Sequence, residues 1–540
     1  MSEKILNNQD YDDGMEEFML EYYKNIPSDE ELKKEYSESV RDNDNFHPID
    51  ETYPKDITFP QDNKKQCKIQ ILKEDTEEIL ELKKLLNICI ADIDIKEWGC
   101  WDDINSSLNN NNHLDMKAIP KKTYLIGMNK IMNIFSNKYN WNFAKDGNIL
   151  YLYNNEYWME IDSSLIKSFL KVVAEQLFIP EILYGDYTFI ENIFKQLNNG
   201  DFFKQMIFPD ETLINLQNGT LLIDSRGIKL LEFQPEDFLT YQLDFKYDNS
   251  KENHIFLKFL NDILPDRSTQ RTLQQGLASL FIPFLKLEKV LFLYGTGGNG
   301  KSVIFEILKG ILNSNLMTYY SLESLVAGGS YERCELNNKL INYGSDINMK
   351  NINHGVFKQL VSGEPINVRQ IYEKPFVMKR YAKMIFNVNK IDNADIENTI
   401  GFFRRMIFIP FEKTISENKQ DKNLHKKILR NKAGILNWIV EGIYDVLDTE
   451  SIFVSKKCTD FLDNFSKESN IAARFVEEYS IVHSDSHTVS FQILYNKFIS
   501  FCKDEGERPM PKRLFNKEFK NLNFVEKRRS QGYVWLVTIT

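Results

Sequence analysis

A chain of 540 residues, 42% of them hydrophobic, has room for roughly three or four domains at about 150 residues each, which excludes a disordered or fibrous protein. Its net charge of −11 sits in the first 60 residues, where 17 acids face 6 bases, while the remainder balances at 61 of each. The acidity therefore does not exclude a nucleic-acid partner, which responds to local charge.

The longest apolar run, Leu277 to Tyr294, is broken by Lys286, Glu288 and Lys289, and the N-terminus opens on acidic and amide residues, so neither a membrane span nor a secretory leader is expected. Cys67, Cys89, Cys100, Cys334, Cys458 and Cys502 form no Cys-x-x-Cys pair, which disfavours a zinc site and a disulfide framework and points to a reducing, cytoplasmic compartment.

In chain order, residues 1–115 read as an acidic, partly disordered region with one helix, Glu74 to Ile90, whose Ile79, Leu82, Leu85 and Leu86 share a face. The run Asn109 to Asn112 reads as a linker. Residues 116–254 mix strands (Ile149 to Tyr153, Thr220 to Asp224) with helices (Ser164 to Leu177), an α+β module. A helical linker or collar spans 255–284, and 285–450 alternates strands and helices as a parallel α/β sheet does, closing with a helical cap at Asn423 to Leu447. The segment 465–540 is a small helical module ending in a strand, Tyr533 to Thr538.

The strongest chemical signal follows the apolar strand Lys289 to Tyr294. Gly295, Thr296, Gly297, Gly298, Asn299, Gly300, Lys301 and Ser302 satisfy the phosphate-loop pattern, and the apolar-periodic helix Val303 to Leu312 follows. Glycines there let backbone N–H groups converge on an anion, so ATP is the expected ligand. Lys301, expected on an exposed loop, would meet the β- and γ-phosphates, and the Ser302 hydroxyl would hold Mg²⁺.

Such a site needs an acid at the end of a neighbouring strand, and Leu340 to Asp346 offers Asp346 as second metal ligand and water-polarising group. The same residue would also suit an ordinary loop. The strand Ala382 to Asn389 ends in an amide that could orient water against the γ-phosphate, or simply make a turn. Arg404 and Arg405 precede the apolar strand Met406 to Phe411, either as arginine fingers reaching a neighbouring subunit or as partners in a structural ion pair.

The order of these four elements resembles the superfamily 3 helicases, in the branch of phage and plasmid primase-helicases and the poxvirus primase-helicase. The likeness covers about 210 to 450 and extends, more weakly, to the end. Leu213 to Gly219, Phe357 to Glu364 and Gly434 to Trp438 support it.

The resemblance implies an AAA+ P-loop ATPase core with an α+β N-terminal module and a C-terminal winged-helix-like domain. It also implies a homo-hexamer translocating on single-stranded or forked DNA in the cytoplasm of a host cell, during replication of a virus, phage or mobile element. A DNA-contacting hairpin would fall within Ile366 to Val377, with Arg369 and Lys374 as its cations. Family members often carry two adjacent acids in the second motif, where this chain has Ser345 and Asp346.

Arg508 to Arg529 holds eight cations against two acids, and Lys512, Arg513 and Lys517 on the helix Lys512 to Leu522 are candidate DNA contacts. Asp92, Asp94 and His113 are the only hint of priming chemistry, so primase activity is not expected, although a primase or other replication proteins are candidate partners. Two alternatives stand beside this reading: an initiator that mainly recognises and melts an origin, and a non-replicative remodelling or defence ATPase.

Overall fold

The computed structural model describes residues 68–91, 143–176, 181–199, 202–326, 331–345, 353–371, 375–389, 400–416, 418, 420–529 and 532–539. All of them belong to one compact unit, formed by 64–101 and 120–540. The acidic segment to residue 67, the linker at 109–112, the acids Asp92 and Asp94, His113, Asp346, Lys374, Cys67 and Cys100 lie outside the described residues.

Among the described residues the first helix is Glu77–Ala91. Its buried stripe is Leu82, Leu86, Cys89 and Ile90, whereas Ile79, expected on that face, is 39% exposed. Four strands follow as one sheet: β1 (Phe143–Asp146), β2 (Ile149–Tyr153), β3 (Trp158–Ile161) and β4 (Phe203–Gln205), in the order β3-β2-β1-β4. The first three form an antiparallel meander; β4 returns parallel to β1 after the amphipathic helices Ser163–Gln176 and Tyr187–Asn199. A parallel return needs such a helical crossover, because a short turn can only reverse the chain.

The strands β5 (Thr212–Leu216), β6 (Gly219–Asp224) and β7 (Gly227–Leu231) make a second antiparallel meander. Every β5 residue is buried, and Ile214, Leu216, Leu221 and Ile223 join the same core as the helices that follow. Those helices, His254–Ile263 and Arg267–Ala278, occupy the segment 255–284 expected to be a helical linker or collar. Asp266 separates them by capping the second, accepting from Ser268 N and Thr269 N.

The largest sheet contains β8 (Val290–Tyr294), β9 (Met317–Thr318), β10 (Ile341–Ser345), β13 (Lys383–Val388) and β14 (Met406–Pro410). All pairings are parallel, in the order β14-β8-β13-β10-β9, as the alternation of strands and helices predicts. Side chains alternate across the pleat, so each strand serves two cores. Leu291, Leu293, Ile407 and Ile409 face the core shared with the helices 254–278, while Val290, Phe292, Met406 and Phe408 face the opposite layer. Covering on both faces is why these strands read as unbroken apolar runs.

Between β10 and β13 the hairpin β11 (Ile366–Val368) and β12 (Phe376–Met378) projects from the sheet, and Ile366, Val368 and Met378 root it in the second core. Helix Lys432–Thr449 closes the other side. There Asn253 links distant parts of the chain: its Oδ1 caps helix His254–Ile263 while its Nδ2 donates to Ile428 O and Asn431 O at 2.8 and 3.0 Å. A Cβ at Gly434 would lie 2.6 Å from Asn253 N, so only glycine permits this approach.

The final module has its own core around Phe475, Phe498, Phe515, Phe519 and Trp535. It holds helices Ile471–Glu478, Phe491–Asp504 and Lys512–Asn521 and strands β15 (Val482–His483), β16 (Val489–Ser490), β17 (Glu526–Arg529), β18 (Gly532–Trp535) and β19 (Val537–Thr538). The single terminal strand expected from sequence is two: β18 pairs with β16 and β17, and β19 pairs with β15. Among the described residues Cys334, Cys458 and Cys502 are buried free thiols, Cys89 is buried, and no helix is long and apolar enough to cross a membrane.

Candidate active site

The loop 295–300 leaves the C-terminal end of β8 and runs into helix Lys301–Leu312. Two glycines are required by its path. Gly300 sits at φ +90°, and a Cβ there would come within 2.7 Å of Ile263 Cγ2; Gly295 passes so close to Phe411 O that a Cβ would approach to 2.7 Å. Thr296, Gly297 and Gly298 are exposed, whereas Asn299 is buried and donates from Nδ2 to Phe411 O at 3.1 Å.

Lys301 departs from expectation. It is 3% exposed, not a free loop residue, because the first turn of its helix lies beneath the loop. Its Nζ donates to Gly295 O at 2.5 Å and Asn299 Oδ1 at 3.0 Å, both neutral acceptors, and burial pushes the amine below the usual lysine range. A buried cation held by dipoles alone is a strong attractor for an anion, since desolvation that is unfavourable to a lone charge favours a charge pair.

In front of the loop lies a cavity of about 1300 Å³. Lys301 and exposed Ser302 line one side, and helix His254–Ile263 and the segment 413–427 supply the other walls. Ile415 N donates to Gly298 O at 2.8 Å, holding that segment across the loop. The converging glycine backbone, buried amine and open volume fit the phosphates of a nucleotide. Ser302, whose hydroxyl is the candidate magnesium ligand, lines the same cavity.

The strand ends carry the remaining candidates. Val388 lies opposite Tyr294 and Ser345 opposite Asn387, so the end of β13 stands between the phosphate loop and the strand that leads into Asp346. Asn389 is exposed and lines the cavity. Asn387 lines it too, and its Oδ1 is buried without a hydrogen-bond partner. Sequence reading missed Asn387; the signal was a polar residue interrupting the apolar strand Met384 to Val388.

Arg404 and Arg405 precede β14, at the opposite end of the sheet from the loop, since Val290 N at the start of β8 donates to Arg405 O. A five-residue strand separates them from their own phosphate loop by about 16 Å. Their environments differ. The Arg404 side chain is 60% exposed with one ion pair, to Glu288 at 3.3 Å; the Arg405 side chain is 11% exposed and bonds Gly401 O, Ser362 Oγ and Glu288.

Arg369 is exposed on the hairpin, donates to Tyr331 Oη at 2.6 Å and lies over that ring. Lys512, Arg513 and Lys517 are exposed together on helix Lys512–Asn521. The structure thus gathers the loop, Asn387 and Asn389 in one cavity and leaves Arg404, Arg405, Arg369 and the C-terminal cations elsewhere on the chain.

A loop with the phosphate-loop pattern at the C-terminal end of β8, in a parallel sheet covered on both faces, is consistent with a P-loop-like α/β core. Three family models match parts of the chain: "D5 N terminal like" over 129–265, a family of unknown function (DUF5906) over 293–405, and "Poxvirus D5 protein-like" over 467–539. The L207/L206 protein of Acanthamoeba polyphaga mimivirus, which is named as a candidate helicase, is 26% identical over 325 residues. The match takes in 52% of this chain and 33% of that protein, so the chain spans about a third of the length of this curated relative.

Apo structures of the NrS-1 C-terminal region cover 76% of this chain and 98% of theirs at 13% identity, with TM-scores of 0.43 and 0.42, a level at which the likeness carries no argument. The family matches bear out the resemblance to the phage and poxvirus primase-helicase type. They lend no support to the expectation that priming is absent, because D5-like domains are primase-associated.

Proposed function

We propose that this chain is an ATP-dependent, Mg²⁺-requiring replication helicase of a virus, phage or mobile element, built as a superfamily 3 AAA+ motor and working as a homo-hexamer on single-stranded DNA. The observation that carries the reading is the division of the sheet: the phosphate loop lies at one end of β8, and the arginines lie at the other end of the adjacent β14. Arginines a strand's length from their own loop are suited to a neighbour's nucleotide, and a closed ring supplies that neighbour.

In this reading Lys301 meets the β- and γ-phosphates. Ser302 and Asp346 hold the metal, Asn389 orients the attacking water, and Arg404 stabilises charge across the subunit boundary with Arg405 bracing it. Arg369 and Lys374 on the hairpin grip DNA phosphates without regard to sequence, as a motor that advances over every base requires. Lys512, Arg513 and Lys517 form a second DNA surface on a winged-helix-like domain.

The test is strand displacement on forked DNA with ATP and Mg²⁺, alongside native mass measurement. Unwinding by a six-subunit species is the expected result. ATP turnover without strand separation by any oligomer would overturn it.

A further inference from the structure

The side chain of Asn299 stands between the phosphate-loop lysine and the sheet. It is 2% exposed, so a phosphate in the cavity meets the backbone of this residue and not its amide. The two ends of the amide are engaged in opposite senses: Oδ1 accepts from Lys301 Nζ at 3.0 Å, and Nδ2 donates to Phe411 O at 3.1 Å. An ammonium on one side and a carbonyl oxygen on the other leave only one way round for the group, because the reverse would set donor against donor and acceptor against acceptor. Phe411 follows β14 and is itself fixed, buried and donating from its backbone to Tyr294 O at 2.7 Å. Gly295 clears the space for the amide, since a Cβ there would collide with Asn299 Nδ2.

We infer that Asn299 is a positioning residue, its amide a strut from the end of β14 that sets the direction of the Lys301 ammonium. The inference rests on the nucleotide reading above and adds how the lysine of that site is aimed.

An ammonium carries three N–H groups in a rigid tetrahedral array. Gly295 O and Asn299 Oδ1 take two of them, which determines where the third points and reserves it for a phosphate oxygen. Lysine has a flexible four-carbon stem, so without the strut the amine would be held by one carbonyl and would turn about it. The anchor lies outside the phosphate loop. The amine is therefore referred to the sheet, and movement of the exposed residues Thr296 to Gly298 leaves its aim unchanged. An amide suits this task better than a carboxylate, which would neutralise the charge meant for the phosphates and turn an oxygen toward Phe411 O.

The test uses the full chain, with kcat for ATP and affinity for a fluorescent ATP analogue measured separately, at a temperature where circular dichroism shows each variant folded. Asn299→Ala should lower kcat by about 10²-fold, the order expected of a misaimed group, while the analogue binds within about three-fold of wild type. The charge is still present and only its direction is lost. Asn299→Asp should instead weaken analogue binding by about ten-fold or more, because the new carboxylate lies against Nζ. A residue that merely pins the loop through Phe411 O would change affinity alike in both variants.

Full kcat in Asn299→Ala, beside a wild type that binds and hydrolyses ATP, overturns the strut and leaves the nucleotide reading standing. Equal losses of affinity in the two variants overturn it in favour of a pinned loop. A wild-type chain that binds no analogue removes the nucleotide reading and the inference together. Should the alanine variant fail to fold, the isosteric Asn299→Asp carries the test, and undiminished affinity there overturns the strut.

Discussion

Arg405 and Ser362 are joined by two hydrogen bonds, Nε and Nη2 to one hydroxyl oxygen at 3.3 and 3.2 Å, so the second arginine of the pair is built into the sheet base while the first projects from it. Arg404→Ala should therefore lower ATP turnover by roughly 10³-fold or more with little change in thermal midpoint. Arg405→Ala should also lose roughly 1–3 kcal/mol of stability by stranding its partners. Rings mixed from Lys301→Ala subunits and subunits carrying alanine at both arginines should regain hydrolysis, since some interfaces then hold a wild-type lysine and wild-type arginines. Mixed rings, verified by native mass spectrometry, with no activity beyond either mutant alone would count against action in trans.

Gly300 and Gly297 both adopt positive φ, +90° and +113°, but only Gly300 is crowded, by Ile263. Each alanine variant meets backbone strain of about 1–3 kcal/mol. Gly300→Ala also displaces helix His254–Ile263, so it should lower the melting temperature more and abolish binding of a fluorescent ATP analogue that Gly297→Ala merely weakens. Equal effects would show that the contact with Ile263 yields freely.

Asn387 distinguishes folding from chemistry in one substitution. A buried acceptor with no partner contributes nothing favourable to the fold, so Asn387→Leu should be neutral or stabilising in urea. If the amide serves bound water or metal, turnover should fall all the same. Asp346→Asn is the companion: ATP binding should persist while hydrolysis stalls. A fully active Asp346→Asn enzyme would mean the metal acid lies elsewhere.

Lys383 gives a pH signature unrelated to nucleotide. It is half-buried at the start of β13, its amine donating to Ile282 O and Leu285 O, and burial pulls it down to about 8. The unfolded lysine holds its proton to higher pH, so the unfolded state binds more protons between about 8 and the ordinary 10.5, and stability contributed here rises across that window. Below it the buried charge costs up to about 3 kcal/mol. In urea titrations at pH 7, 8.5 and 10, the wild type should gain steadily relative to Lys383→Met. A constant difference would contradict this lowering.

The phosphate loop, its strand and its helix were legible because loop chemistry is written in consecutive residues. The parallel sheet was legible because apolar runs alternate with helical periodicity. The hairpin between Ile366 and Met378 was legible only through family likeness; its short strands carry no period of their own. What could not be read came from contacts distant in sequence. The walls that face the phosphate loop come from helix His254–Ile263 and the segment after β14. Arg405 is fixed by a serine 43 residues earlier.

The Asn253 clasp has a consequence for how the cavity comes into being. The residues that complete the nucleotide cavity stand on both sides of the sheet in sequence, and Asn253 bonds to carbonyls 175 and 178 positions later. During synthesis the phosphate loop leaves the ribosome long before its far wall, and contacts this distant close late because the intervening loop must be ordered first. A chain interrupted near residue 410 would carry every residue of the phosphate loop and half a pocket. The cavity in front of the loop is thus walled on both sides only once the segment after β14 has been made.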